Sequence, residues 1–396
     1  MKIGIVTLVG DNYGNKFQNY AVEQLLKKYG NVETFKVESA NNQKNSTSKK
    51  SIKAKLKYSY VKQFLHCRLM SRYDLNNTSR PVFISVFYAI LKHKKLKTLK
   101  ENRSRNFKKY QDEYLNVSER IITKENCNEK AWIESYSCFF CGSDQIWNPT
   151  YATTSELAFL SFAKKRTIAL SPSFGVSKLP EHVVEAYKQW IKNISVLSIR
   201  EKAGQKIISD LTGREAELLV DPTMAIDVDV WKNCVKNPGN LPQKYVLCYF
   251  LGHVNSSYMK TIKKFSEEKK IKIVRLFDIE SPEYYTYDPN EVLYSILHAE
   301  YVLTDSFHGS VFSILFKRNF YVFNRNEGGH DMSSRLETLL EAFGLRERKY
   351  GVSEENISMS KWEEVHQIIE NEKKRVKKFI DDAIKEMVKE EDDNAV

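Results

Sequence analysis

No apolar run in this sequence reaches the roughly 20 residues of a membrane-spanning helix, so no spanning helix is expected. A signal-peptide pattern is missing too, because Met1-Lys2 leads straight into the strand-like IGIVTLV. The six cysteines fall at irregular positions and give no disulfide framework, which points to a reducing, bacterial-type cytoplasm. Cys138 and Cys141 form a CxxC, yet no second Cys or His pair stands at ligand spacing. On a strand, positions i and i+3 face opposite sides, so zinc is rejected and two buried core thiols are expected. Neither a GxGxxG fingerprint nor a P-loop follows the first strand. Acids are almost absent from one block. Residues 41–110 hold 19 Lys or Arg against Asp74 and Glu101 only, a charge of +17. The whole chain is +12, which leaves −5 for the remainder. The protein is not basic throughout; one insert is.

What is present suits two α/β domains. The chain has 396 residues, long for one core, and its 42% hydrophobic content excludes global disorder. Lys2 to Val9 reads as a buried parallel strand, followed by Gly10-Asp11-Asn12-Tyr13-Gly14-Asn15 and a helix from Phe17 to near Gly30. Val32 to Val37 is the second strand. The basic insert, about 43–110, then carries helical stretches near Ile52 to Met70 and from Pro81 to Tyr110. Regular structure resumes around Trp132, with strands at Ser137–Cys141, Arg166–Ser171, Val196–Ile199 and Glu217–Val220, and a helix after Arg200 that stops at Gly213. A connector at about 225–243 ends this first domain, 1–225. The second, 244–345, starts again with strand Tyr245–Leu251, helix Ser256–Lys269, strand Lys272–Phe277 and a helix from Pro289, opened by Asp288 and Glu291. A long amphipathic helix over 360–390 closes the chain. The expected fold is two Rossmann-like, doubly wound units facing one cleft.

The stretch Tyr301 to Phe316, YVLTDSFHGSVFSILF, organises the rest. A buried strand ends in Thr304-Asp305-Ser306, and a helix opens at once through Phe307, His308 and Gly309. Open parallel sheets present chemistry at such strand ends. His308 would stand at a helix N-terminus, where free N–H groups favour an anion. The bland alternative is a hydrogen-bonded structural His. Gly142 to Pro149, with Asp144, Trp147 and Asn148, is a second polar loop at a strand end; it suits a sugar held by stacking and hydrogen bonds. Arg200 at a strand exit would present a fork to phosphate or carboxylate, or else pair with Glu201. Arg335 at a helix start would clamp a second anionic group, or else lie solvated. Asp144 and Asp305 suit a base or sugar ligand, or a helix cap.

TDSFHG, with NYGNKFQNYA near the start, GSDQIWNP in the middle and SIRE at Ser198, resembles the polysaccharide pyruvyl transferase family, in order over roughly residues 1–340. The resemblance implies a glycosyltransferase-B-like arrangement and transfer of pyruvate from phosphoenolpyruvate to a sugar, forming a cyclic ketal, with no cofactor and no metal. It places Asn15 and Gln18 in the active cleft. A His suits the acid–base steps, with His308 and Asp144 as catalytic candidates and arginines for the phosphate and carboxylate. One departure stands out: many members carry Arg-Leu-His where this chain has Ser306-Phe307-His308. If that Arg grips the donor, Arg325 and Arg335 are the nearest replacements.

Two other functions are open to the sequence. A nucleotide-sugar glycosyltransferase on the same scaffold would want an acid late in the second domain, for which Glu327 is the candidate. A nucleic-acid or anionic-surface binder is suggested by the insert, but its basic residues are mostly Lys and adjoin PVFISVFYAIL rather than interleaved aromatics, so no nucleic-acid partner is expected. An apolar segment joined to a Lys cluster fits a peripheral helix on anionic membrane, here residues 81–100, at the inner membrane face where a lipid-linked acceptor would lie. The alternative is an insert packed on its own domain.

Overall fold

A computed structural model describes residues 1–38, 82–163, 167–325, 334–353 and 355–394. Two parallel sheets carry the chain. The first has the order β3-β2-β1-β4-β5-β6-β7, with β1 Lys2–Val6, β2 Asn31–Val37, β3 Val117–Ile122, β4 Cys138–Cys141, β5 Thr167–Ala169, β6 Val196–Ile199 and β7 Glu217–Leu218. The second has the order β11-β10-β8-β9, with β8 Tyr245–Tyr249, β9 Lys272–Arg275, β10 Tyr301–Thr304 and β11 Asn319–Val322. The helices that shape the site are α1 (Tyr13–Leu26), α2 (Val82–Tyr114), α3 (Lys202–Thr212), α4 (Val228–Cys234), α5 (Ser256–Lys269), α6 (Pro289–Leu297), α7 (Phe307–Leu315), α8 (Ser334–Ala342) and α9 (Met359–Asn394).

Strand alternation sorts the core of the first sheet. Cys138 and Phe140 join Ile3, Ile5 and Ile168 on one face, while Phe139 and Cys141 join Val6 and Ala169 on the other. The two cysteines are therefore buried on opposite faces as free thiols, as the CxxC spacing on a strand requires. Helix α9 bridges both halves. Its Trp362, Val365 and Ile369 pack with the second sheet's core, and its Val376, Phe379, Ile380 and Ile384 cover Ile3 and Ile5 of the first. Aromatic side chains fill the seam between the sheets. Phe17 of α1 meets Phe312 of α7 edge-on at 4.8 Å, and Trp231 of α4 meets the same ring at 4.9 Å and 90°.

Several boundaries differ from the expectations. Helix α1 begins at Tyr13 rather than Phe17, because the Asn12 side chain accepts from Gly14 N at 2.8 Å and caps the helix early. Strand β3 was not expected: VSERII is half exposed at a sheet edge and lacks a clean apolar alternation. The connector at 225–243 contains α4, whose Trp231 is fully buried. Helix α6 opens with the capping box of Asp288 and Glu291, α5 spans the expected Ser256–Lys269, and α3 ends on Gly213 at φ 68°.

In the basic insert, residues 39–81, including the helical stretch expected at Ile52 to Met70, lie outside the described residues. So do the side chains of Val82 to Leu91 and of Lys92, Lys94 and Lys95. The later part of α2 packs into the seam. Arg103 is buried and donates to Tyr13 Oη at 2.8 Å and to the Tyr285 carbonyl at 2.9 Å. Its guanidinium lies over the rings of Tyr13, Phe107 and Phe277 at 4.6–4.7 Å. At least from Arg103 to Tyr110, then, the insert is built into the fold. Among the described residues no helix is long and apolar enough to cross a membrane.

Candidate active site

A cavity of about 360 Å³ opens between the carboxyl ends of the two sheets. In the first sheet the chain reverses winding between β1 and β4; in the second, between β8 and β10. These are the topological switch points, where neighbouring loops part and leave a crevice. Thr7 to Gly10 after β1 and Asp144-Gln145 after β4 supply one wall; Leu251 after β8 and Ser306 to His308 after β10 supply the other.

The Ser306 side chain caps α7 by accepting from Gly309 N at 3.2 Å, so His308 sits in the helix's first turn, 5% exposed on the cavity wall. Its imidazole lies against Gly14 of α1. A Cβ at that position would stand 2.4 Å from His308 Nδ1, so only glycine leaves room for the ring. Nε2 is buried without a hydrogen-bond partner among the described residues and faces Asp221 Oδ2 at 3.8 Å.

Behind the wall lies a buried charge network. Arg200 donates from Nη1 to Asp221 Oδ2 and from Nη2 to Asp144 Oδ1 at 2.9 Å, with Glu201 at 3.9 Å and the Phe307 ring 4.4 Å below its guanidinium. Burial opposes ionisation of Asp221, but contact with His308 and Arg200 outweighs it and holds that carboxyl far below the usual range. Asp144 is likewise lowered against burial by Arg200, His308 and Arg335.

Arg335, on α8, behaves differently. It lines the cavity, is 6% exposed, and its Nε has no partner among the described residues. Burial, followed by repulsion from Arg200 and Arg325, lowers its pKa to about 10. A desolvated cation beside two others is poised for an anion. Arg325 also lines the cavity and donates to Asp305 from Nε at 3.4 Å and from Nη2 to its carbonyl at 3.1 Å.

His308, Asp144, Asn15, Ser306, Arg325 and Arg335 therefore converge on one cavity, with Asn15 Nδ2 donating to Asp144 Oδ2 at 2.6 Å. Five other candidates do not reach it. Trp147 is fully buried, stacked on Phe159 at 4.6 Å and 8°, with its indole N–H on the Ala158 carbonyl; no face is left for a sugar. Asn148 is spent inside its own loop, on Gln145 and Thr150. Gln18 ties the β1 exit to the β4 exit, donating to Thr7 Oγ1 and accepting from Ser143 N. Asp305 accepts from Leu251 N at 2.6 Å and Gly252 N at 2.8 Å and so fastens the β8 loop. The expected main anion clamp, Arg200, has a completely buried side chain whose fork is taken by two carboxylates. Asp221, directly after the strand expected at Glu217–Val220, was not among the candidate residues; the strand-end rule that picked out Arg200 applies equally there. Glu327 lies outside the described residues.

The two sheets and their cleft define an α/β protein with a cation-lined site at both switch points. The profile of the family described as polysaccharide pyruvyl transferase matches residues 12–327, and the chain belongs to that family. No curated protein matches. Among solved structures, a putative UDP-N-acetylglucosamine 2-epimerase from Listeria monocytogenes is 12% identical, with 93% of this chain and 96% of that one covered at a TM-score of 0.45. An E. coli heptosyltransferase with ADP-2-deoxy-2-fluoro heptose is 8% identical, with 86% and 99% covered at a TM-score of 0.31. Likeness of that degree carries no inference about activity.

Proposed function

We propose that this protein transfers pyruvate from phosphoenolpyruvate to a sugar of a cell-surface polysaccharide, or of its lipid-linked precursor, closing a cyclic ketal. The observation that carries this is the buried Arg335, whose Nε has no hydrogen-bond partner among the described residues, in the same cavity as His308 at the start of α7. The reaction asks for that pairing. A proton added to the enol methylene gives a methyl group and an oxocarbenium-like centre. One sugar hydroxyl adds there, phosphate departs, and a second hydroxyl closes the ring. His308 serves the proton transfers. Arg335 and Arg325, together with the first N–H groups of α7, hold the phosphate and carboxylate. Ser306 stands where many relatives carry Arg, and its hydroxyl is used as the helix cap, so Arg335 takes over the donor charge in this reading.

Phosphate release from phosphoenolpyruvate in the presence of acceptor sugars tests the proposal, with His308→Ala as the control. That variant should stay folded by circular dichroism and turn over on the order of a hundredfold slower. Release at the wild-type rate by a folded variant would remove His308 from the mechanism.

Peripheral contact with the inner membrane through residues 81–100 belongs to the same proposal. Lys92, Lys94, Lys95, Lys97 and Lys100 would meet anionic lipid, each contributing about 1 kcal/mol near the surface. Co-sedimentation with anionic vesicles at low salt, and its loss when all five become Gln, is the expected result; indifference of the wild type would end the idea.

A further inference from the structure

We propose that Asp221 positions His308, holding the imidazole proton on Nε2 so that Nδ1 is the nitrogen that meets the substrate. Four observations lead there. Asp221 is completely buried and fixed from several sides: Thr223 N and Oγ1 donate to Oδ1 at 3.0 and 2.7 Å, while Arg200 Nη1 and Ser143 Oγ donate to Oδ2. That same Oδ2 faces His308 Nε2 at 3.8 Å. Nε2 is buried and has no hydrogen-bond partner among the described residues. Nδ1 lies on the other edge of the ring, against Gly14 at the start of α1, beside the cavity residues Asn12 and Asn15.

A separation of 3.8 Å exceeds a hydrogen bond, but catalytic contacts commonly tighten when the substrate binds. Electrostatics selects the partner meanwhile. An ionised carboxylate opposite Nε2 favours a donor at that nitrogen and repels a lone pair, which fixes the tautomer. Because Thr223, Ser143 and Arg200 hold the carboxylate, Asp221 gives the imidazole one orientation. With Nε2 turned to Asp221, the ring keeps one orientation while Nδ1 exchanges a proton with the substrate.

The role in turnover rests on the pyruvyl-transfer reading; the tautomer does not. Full-length protein labelled with ¹⁵N-histidine, studied at about pH 8.5, well above the ordinary histidine pKa of about 6.5, reports the tautomer without any substrate. The His308 signal is assigned by its loss in His308→Gln. The expected wild-type signature is a proton on Nε2, and Asp221→Asn should shift it toward Nδ1. In the phosphate-release assay Asp221→Asn should lower kcat by about tenfold to a hundredfold while leaving the KM for phosphoenolpyruvate within about twofold. A wild-type His308 with its proton on Nδ1 would overturn the proposal, and that measurement stands even where Asp221→Asn fails to fold. An Nε2 proton that persists unchanged in folded Asp221→Asn would overturn it as well. No turnover by the wild type would overturn the reaction assignment alone.

Discussion

Replacing Arg335 by Met should have two effects of opposite sign. In the free protein the guanidinium is buried, its Nε has no partner among the described residues, and its pKa is pulled down to about 10 by burial and by neighbouring arginines. A basic group whose folded pKa is depressed destabilises the folded state while it carries its charge, and at neutral pH Arg335 carries it. Met matches the length of the stem and removes that charge, so the free variant should be more stable, on the order of 1–3 kcal/mol by the usual gain when buried ions give way to apolar residues. Binding should move the other way. A charge-assisted contact to an anion contributes about 1.5–3 kcal/mol, so phosphoenolpyruvate affinity should fall about tenfold to a hundredfold. Thermal unfolding with and without phosphoenolpyruvate reads both effects in one experiment: a raised midpoint in its absence and a lost ligand-induced shift in its presence. A variant that is less stable alone and still stabilised by phosphoenolpyruvate would show that Arg335 is a structural cation with partners of its own, and the anion site would have to be sought elsewhere.

Further expectations follow from the packing and the charges. Gly14→Ala suits a helix but puts its Cβ 2.4 Å from His308 Nδ1; the variant should keep its helical circular dichroism and lose turnover, and wild-type turnover would refute the contact. Arg200→Lys leaves one of two buried carboxylates without its partner, so denaturant unfolding should show a loss of about 3–5 kcal/mol; a folded, equally stable variant with only a raised KM would restore Arg200 to the anion site. Trp147→Ala should cost about 3–5 kcal/mol of stability from lost core packing, whereas a selective rise in acceptor KM in a stable variant would return the ring to a sugar-binding role. Asp221 has a folded pKa depressed below its unfolded value of about 3.9. Its contribution to stability is therefore fully present above about pH 4 and lost as pH falls toward the folded pKa. Acid unfolding followed by fluorescence should show a shallower pH dependence in Asp221→Asn; an identical profile would mean that the network adds nothing to stability.

The site was legible where chemistry sits at the backbone's own turning points. Strand-then-helix patterning placed Ser306 and His308 at the start of α7 and Asp144 after β4, and the family resemblance added Asn15 after β1; all four line the cavity. Burial was not legible for side chains whose polarity alone suggested solvent. Trp147 stands in a polar loop, Arg200 at a strand exit and Gln18 in the first turns of a helix, yet each is turned inward by partners that only the folded chain supplies. Trp147 meets Phe159, Gln18 meets Ser143 at a separation of 125 residues, and Arg200 meets Asp144 at a separation of 56.

By itself the sequence determined the alternation of strands and helices, because periodicity, caps such as Asp288 with Glu291 and the stop at Gly213 are local physics. It also determined the family, through motifs spread in order over residues 12–327. Tertiary structure alone decided which cation faces the cavity. Arg200 and Arg335 are chemically identical, and the difference lies in their neighbours: two fixed carboxylates hold the fork of one guanidinium, while the other stands on the cavity wall with no carboxylate at ion-pair distance among the described residues. Such neighbours come from strands that meet only when the sheet forms, so the distinction between a structural arginine and a ligand-seeking one is a property of packing rather than of local sequence.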